Sequence, residues 1–168
     1  MWYAVDSGLA SWSYDPALIT GTYTLATAGT VYTSQLKVNT GVVTNVDYHI
    51  TTAGATLTAS QCFVAVYQNG VLLGASAPAA TIVQWLTTGY IVTPLTAPVT
   101  VNNGIITVVF VFNGTTGPTL GAAGVKGNNG LAATASRFGT ANTSITTALP
   151  ATLGTVSALA QTPWVAVS

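Results

Sequence analysis

The fold is decided by the stretch Gln61-Cys62-Phe63-Val64-Ala65-Val66-Tyr67-Gln68-Asn69-Gly70-Val71-Leu72-Leu73. Its first part, residues 61–68, is a nearly continuous apolar run, which is typical of a central strand covered on both faces. Asn69-Gly70 separates this run from a second one, and both residues accept the positive φ that a type I′ turn needs. The stretch therefore predicts a β-hairpin.

Similar β-rich runs recur along the chain, between Gly, Pro and Asn turns, and no window shows a capped helical period. Eight or so strands in one chain predict an all-β fold, an antiparallel two-sheet β-sandwich that is jelly-roll-like. Besides the hairpin, strands are predicted at residues 30–38, 42–51, 82–86, 90–95, 105–112, 132–138 and 164–167.

Two of these runs alternate between apolar and polar residues, as half-buried strands do. In residues 30–38 the polar face carries Thr33, Gln35 and Lys37, and in residues 42–51 it carries Asn45, Asp47 and His49. Residues 121–130, rich in Gly, Ala and Asn, predict a long exposed loop. The following prolines are predicted to lie between strands: Pro78, Pro94, Pro98, Pro118 and Pro163.

The domain organisation predicted is simple. Residues 1–20 form an N-terminal arm or first strand region, and residues 21–168 form a single β-sandwich domain. Large aromatic residues in such an arm favour its burial on a neighbouring subunit.

Charge is scarce in this chain. Only 4% of its 168 residues are charged, against about 25% in ordinary soluble domains, although the mean hydropathy is +0.56. Thirty threonines supply much of the polarity, and a neutral polar surface tolerates close association with other chains. Zero net charge with scattered basic residues argues against a nucleic-acid partner. The charged residues are Asp6, Asp15, Asp47, Lys37, Lys126 and Arg137.

The most apolar stretch, residues 105–112, is far shorter than the roughly 20 residues of a membrane helix and contains Thr107. We therefore expect no membrane insertion, and the start of the chain shows no signal-peptide pattern.

Chemistry-bearing residues are few. Asp47 and His49 share a strand face and could form a dyad, but no nucleophile motif accompanies them, so a solvent-facing polar pair is the simpler interpretation. Asp15 before Pro16 is typical of a turn, and Cys62 of a small buried hydrophobe. We expect no enzyme activity, no catalytic residue, no cofactor and no zinc site. Calcium bound by Asp and carbonyl oxygens in a loop stays open.

Aromatic residues remain as candidate contacts with a protein interface or a glycan, since Trp and Tyr serve both purposes. For Trp85, packing in the core is the competing interpretation. The candidate contact residues are Trp2, Trp12, Tyr14, Trp85 and Tyr90.

Weak motifs in a fixed order run through nearly the whole chain. In their order and spacing they resemble the single-domain minor tail proteins of tailed bacteriophages, notably those of actinobacterial hosts. The motifs are Gly8-Leu9, Trp12-Ser13-Tyr14-Asp15-Pro16-Ala17, Ala28-Gly29-Thr30-Val31-Tyr32, Thr51-Thr52-Ala53-Gly54, Leu57-Thr58-Ala59, Tyr67-Gln68-Asn69-Gly70, Leu72-Leu73-Gly74, Trp85 to Gly89, Leu95-Thr96-Ala97-Pro98-Val99, Asn113-Gly114-Thr115-Thr116, Arg137-Phe138, Leu149-Pro150-Ala151 and Trp164-Val165-Ala166.

The resemblance implies a non-enzymatic virion protein on the particle exterior, in the tail or as a capsid decoration, made in the host cytoplasm. Its partners would be other virion proteins and copies of itself, as a homotrimer. The alternative is a carbohydrate-binding module of a tail or fibre that recognises a host surface glycan through Trp and Tyr platforms. A cell-wall hydrolase is disfavoured by the shortage of acids.

Overall fold

The computed structural model describes residues 3–124 and 137–168, which form a mostly β structure with one α-helix, α1 (Pro78–Trp85). Two short 3₁₀ helices, Ala4–Ser7 and Pro16–Leu18, lie in the N-terminal arm. The strands are β1 (Ser11–Trp12), β2 (Gly21–Thr24), β3 (Val31–Val38), β4 (Gly41–Thr52), β5 (Ala55–Leu57), β6 (Phe63–Gln68), β7 (Val71–Ala75), β8 (Gly89–Val101), β9 (Gly104–Val111), β10 (Gly114–Thr116), β11 (Thr119–Ala122), β12 (Phe138–Thr140), β13 (Ser157–Ala158) and β14 (Val165–Val167).

Two six-stranded antiparallel sheets pack face to face, which confirms the predicted all-β sandwich. Sheet A has the order β1-β14-β4-β11-β2, with β8 paired to β4 as well. Sheet B has the order β13-β12-β3-β9-β6-β7. A small pair, β5 with β10, stands apart from both sheets.

The hairpin between β6 and β7 forms as predicted. Asn69 and Gly70 have φ angles of 52° and 77°, the left-handed values that a type I′ turn requires at both central positions. All six residues of β6 are buried, and the strand lies between β7 and β9 in sheet B. The prediction of a central strand covered on both faces is therefore confirmed.

Irregular chain covers the outer face of sheet B. One apolar cluster fills the space between the sheets, and a second lies on the far side of sheet B, around Phe63, Tyr67 and Val109. Ile145 and Leu149 of the C-terminal segment pack against this second cluster. This explains why β6 has no solvent-exposed face.

The N-terminal arm covers part of the outer face of sheet A. Strand β1 pairs with β14, so residues 3–20 contribute one short strand to the edge of sheet A. Trp12, Tyr14 and Ile19 pack against Leu9 and Trp164 of the same chain. The arm thus folds back on its own sandwich.

The strand predicted at residues 82–86 is wrong, because residues 82–85 belong to α1 and Leu86 is its C-cap. Pro78 occupies the first turn of the helix, where its missing N–H costs nothing. Thr81 and Trp85, four positions apart on one helix face, are the two buried residues of α1. Tertiary packing of this face overrides the strand preference of the β-branched residues Ile82 and Val83. Within the described ranges, no helix is long and apolar enough to cross a lipid bilayer.

Two prolines lie inside a strand rather than between strands. Pro94 and Pro98 both belong to β8, which pairs with β4 on one side only. Between Pro94 and Val99 the register against β4 shifts, and Leu95 instead bridges to Ser76 beside β7. Prolines are tolerated at such edges and irregularities because few ladder hydrogen bonds are lost there.

The loop predicted at residues 121–130 is wrong at its start. Gly121 and Ala122 end β11 and are buried, since β11 pairs with both β2 and β4. Residues 125–130 lie outside the described residues. The strand predicted at 132–138 is described only from Arg137 onwards, and Phe138 there begins β12.

Candidate functional site

Two neighbouring hollows share Trp12 as a wall. The first, which we call the aromatic hollow, has a volume of about 340 Å³ and lies between the N-terminal arm and the outer face of sheet A. The second, which we call the basic hollow, has a volume of about 370 Å³. Trp12 lines both, since it stands on β1 at the edge of sheet A.

The aromatic hollow brings together residues that lie far apart in the sequence. Its arm side carries Leu9, Trp12 and Ile19, and its sheet side carries His49, Tyr90 and Trp164. His49 on β4 stands directly opposite Tyr90 on β8 in the strand register. The rings of Tyr90 and Trp164 have centroids 6.0 Å apart at an angle of 48°. Tyr90 is 55% exposed, so its ring is available at the surface of the sandwich.

Tyr14 holds Trp164 in place and does not line either hollow. Trp164 Nε1 donates to the Tyr14 carbonyl oxygen at 2.9 Å, and Tyr14 Oη donates to the Thr162 carbonyl oxygen at 3.0 Å. Burial raises the pKa of the Tyr14 phenol, so it stays a hydrogen-bond donor at neutral pH. Tyr14 therefore supports the site instead of presenting a contact surface.

The basic hollow combines apolar and cationic groups. Strand alternation places Gln35 and Lys37 on the same face of β3, and both line this hollow together with Trp12. Ile105 on β9 is the register partner of Lys37. Arg137 completes the wall, and its Nη2 donates to the Ser13 carbonyl oxygen at 2.8 Å.

Asp47 and His49 share the outer face of sheet A, as predicted, but the solvent-facing interpretation is wrong for Asp47. This residue is 1% exposed, and its Oδ1 accepts a hydrogen bond from Tyr90 Oη at 2.7 Å. Burial raises the pKa of the Asp47 carboxyl, and the hydroxyls of Tyr90 and Ser168 oppose that shift. Asp47 Oδ2 and His49 Nδ1 are buried and make no hydrogen bond with the described residues.

The buried Asp47 predicts an unusual pH dependence of stability. Because the pKa is raised in the folded state above its ordinary 3.8, folding favours the protonated acid. This contribution to the free energy of unfolding is complete below pH 3.8 and is lost as the pH rises through the folded-state pKa. We expect Asp47→Asn to remove this decrease in the free energy of unfolding with rising pH, because the amide stays neutral.

Urea denaturation between acidic and neutral pH, followed by tryptophan fluorescence, measures this effect. The matched control is Asp6→Asn at an exposed carboxylate. In that variant the free energy of unfolding should still decrease as the pH rises. If the free energy of unfolding changes with pH in the same way in the wild type and in Asp47→Asn, Asp47 does not cause the pH dependence.

The structure separates the five predicted contact residues. It brings Trp12 and Tyr90 together in one hollow and places Tyr14 behind Trp164. Trp85 is fully buried in the inter-sheet core, so the contact interpretation is wrong for it and core packing is confirmed. Trp2 lies outside the described residues.

Cys62 and Asp15 have the structural roles predicted for them. Cys62 is fully buried, and its Sγ donates to the Asn113 carbonyl oxygen at 3.4 Å. Asp15 Oδ1 accepts a hydrogen bond from the Ala17 N–H at 2.9 Å and so caps the second 3₁₀ helix.

Of the lining residues that carry an aromatic ring or a positive charge, the sequence did not indicate His49, Trp164, Lys37 and Arg137 as contacts. Strand alternation had already placed Gln35 and Lys37 on one face, and that signal could have indicated these two residues of the basic hollow. No local signal connects Arg137 or Trp164 with Trp12.

The two hollows offer aromatic faces, amide and hydroxyl groups and two cations. This set suits non-covalent binding of a small polar ligand with an apolar face. Among residues 3–124 and 137–168, no group of three or more His, Cys, Asp or Glu side chains could hold a metal ion. Comparison of the chain with protein-family models and with curated proteins finds no match.

Proposed function

We propose that this chain is a non-enzymatic structural protein on the exterior of a bacteriophage particle, as a minor tail protein or a capsid decoration. Three features support the proposal: the ordered motifs that resemble minor tail proteins, the sandwich fold and the very low charge. A surface with so few charges has little electrostatic repulsion against identical copies or neighbouring subunits.

The observation that carries the proposal is a set of exposed apolar side chains on α1, directly after it and on β8, which we call the α1–β8 patch. Val83 and Leu86, on and just after α1, are 67% and 50% exposed, and Val92 on β8 is 40% exposed. Gln84 Nε2 donates to the Val92 carbonyl oxygen at 2.6 Å and so fixes the helix against the strand. Exposed large apolar side chains on two elements joined in this way favour a subunit contact.

Particles of the phage that encodes this chain provide the test. Antibody labelling and cryo-EM should locate copies on the particle exterior, at the head or at the tail. The proposal is contradicted if purified particles lack the chain.

In solution we expect a homotrimer, with a sedimentation mass three times the 17.0 kDa of one chain. Val83→Asp in the α1–β8 patch should shift the assembly towards monomers, because it places a charge in an apolar contact. Val71→Asp is the matched control, since Val71 is similarly exposed on β7, outside the patch. A wild-type chain that remains monomeric at high concentration contradicts the trimer, and equal effects of both substitutions contradict the role of the patch.

A second candidate function is recognition of a host surface glycan, and the pair of hollows around Trp12 favours it. Trp12 and Tyr90 present aromatic surfaces beside polar groups, and aromatic rings stack on the apolar faces of sugars. Each hollow falls within the range of about 300–1,000 Å³ of small-molecule sites. The purified chain should then bind saccharides on a glycan array, and a chain that binds none of them lacks this function.

A further inference from the structure

The two basic residues within the described part of the chain line the same hollow. The sequence has three basic residues, and two of them, Lys37 and Arg137, line the basic hollow. They come from different parts of the chain, since Lys37 lies on β3 and Arg137 directly precedes β12. In a protein with only 4% charged residues, two cations in one hollow form a distinct electropositive spot.

The three carboxylates of the sequence lie elsewhere and do not line this hollow. Asp6 accepts a hydrogen bond from the Tyr3 N–H, and Asp15 caps the second 3₁₀ helix. Asp47 is buried on the outer face of sheet A under the Tyr90 hydroxyl. The positive charge of the basic hollow is thus left for a ligand.

Arg137 is held in position by a hydrogen bond to the N-terminal arm. A guanidinium has five N–H donors, and the bond from Nη2 to the Ser13 carbonyl oxygen uses one of them. Ser13 is itself fixed, because its Oγ accepts a hydrogen bond from the Val165 N–H at 3.1 Å. A guanidinium anchored in this way loses little conformational entropy when it binds an anion.

Apolar surface lies beside the two cations. Trp12 lines the same hollow, and Ile105, the register partner of Lys37, is 56% exposed. A ligand that fits this hollow therefore needs one anionic group and one apolar face within a single compact unit. Two cations are too few for the polyanion backbone of a nucleic acid.

We propose that the basic hollow binds an acidic saccharide, with the carboxylate of a uronic acid between Arg137 and Lys37 and the sugar ring against Trp12. This inference rests on the glycan-recognition candidate above. A uronic acid carries its carboxylate on the ring itself, so one unit reaches both the indole and the cations. In a phosphodiester-linked polymer the charge lies between the sugar units, so a single unit does not reach both Trp12 and the two cations as well.

Isothermal titration calorimetry tests the proposal with the trisaccharide of galacturonic acid and with the neutral trisaccharide of galactose. We expect the acidic trisaccharide to bind at least about ten-fold more tightly, and we expect added salt to weaken its binding. Lys37→Gln should weaken that binding about ten-fold, whereas Lys37→Arg keeps the charge and should retain it. Lys37 is exposed, so both variants should fold, and thermal unfolding checks this.

Arg137→Gln is the second variant, and its thermal unfolding must be compared with that of the wild type because Arg137 also binds Ser13. Equal binding of both trisaccharides, unchanged in Lys37→Gln, overturns the acidic selectivity but leaves glycan recognition standing. Tighter binding of a poly(glycerol phosphate) overturns the uronic acid as the ligand. If no saccharide binds, both this inference and glycan recognition fail.

Discussion

Replacing Trp85 with alanine is expected to lower the free energy of unfolding by about 3–5 kcal/mol, the usual cost of truncating a buried large aromatic residue. Trp85 is fully buried and is among the largest side chains of the inter-sheet core. Trp85 and Thr81 are the two buried residues of α1, and the partly buried Ile82 also packs against that core. The substitution therefore removes packing between the sheets and releases the helix.

Trp85 also begins a chain of buried hydrogen bonds. Its Nε1 donates to Tyr48 Oη at 2.8 Å, and Tyr48 Oη lies 2.6 Å from Thr93 Oγ1. Thr93 Oγ1 donates to Gln84 Oε1, and Gln84 Nε2 donates to the carbonyl oxygen of Val92. The chain thus runs from α1 through β4 and β8 and returns to α1. Tyr48 keeps its bond to Thr93 when Trp85 is removed, so most of the expected loss comes from the cavity.

Urea unfolding, monitored by far-UV circular dichroism, measures the effect of Trp85→Ala. Val83→Ala is the matched control on the same helix, because Val83 is 67% exposed and should change stability by less than about 0.5 kcal/mol. If both variants lose the same small amount, Trp85 does not anchor the core.

The features of this fold that follow from short-range rules could be predicted from the sequence. Asn69-Gly70 specifies its turn through backbone geometry alone, and the continuous apolar run before it specifies a strand buried on both faces. The alternating run of β3 likewise showed which residues share a face. These sequence signals predict the structure correctly because they depend only on residues that are close together in the sequence.

Features that depend on distant packing could not be predicted. The helix α1 forms where β-branched residues favour a strand, because Pro78 starts it and the core accepts Thr81 and Trp85 from one face. The four-residue spacing of Thr81 and Trp85 is consistent with a helix, but a single such pair in eight residues is weak evidence for one. Nothing local indicated that irregular segments would cover the outer faces of both sheets.

The candidate site was predicted only in part for the same reason. Aromatic character indicated Trp12 and Tyr90, and strand alternation placed Asp47 and His49 together. The hollows themselves exist because the N-terminal arm folds across β14, which no local pattern encodes. Alternation also failed to predict that Asp47 is buried, since burial there depends on Tyr90 from another strand.

Replacing Gly117 with alanine is expected to destabilise the fold by about 3 kcal/mol or more, the upper part of the range for overpacking. Gly117 lies between β10 and β11 and is buried against the backbone of Leu25. A Cβ at this position would overlap the Leu25 carbonyl oxygen and would lie 2.9 Å from Cδ1 of the Phe112 ring. Both neighbours belong to the inter-sheet core and are nearly or fully buried, so neither can move towards solvent.

The backbone around Gly117 has little freedom to adjust. The Leu25 N–H donates to the carbonyl oxygen of Pro118 at 3.1 Å, so moving Leu25 away from a new methyl group would strain this bond. Gly41→Ala is the matched control, because a Cβ there meets nothing closer than the Asn39 carbonyl oxygen at 4.0 Å. Alanine at position 41 should be neutral, or should stabilise by up to about 1 kcal/mol through the unfolded state.

Urea denaturation of both glycine variants distinguishes a steric clash at position 117 from the general effect of replacing glycine with alanine. A large loss for Gly117→Ala with none for Gly41→Ala shows that the chain needs the missing side chain at position 117. Equal stabilities would mean that Leu25 and Gly117 are further apart than the structure places them. Because β11 pairs with both β2 and β4, a displaced Gly117 would also disturb the sheet on which the aromatic hollow is built. Gly117→Ala should therefore lose stability, whereas Lys37→Gln, in the basic hollow, should weaken saccharide binding and leave stability unchanged.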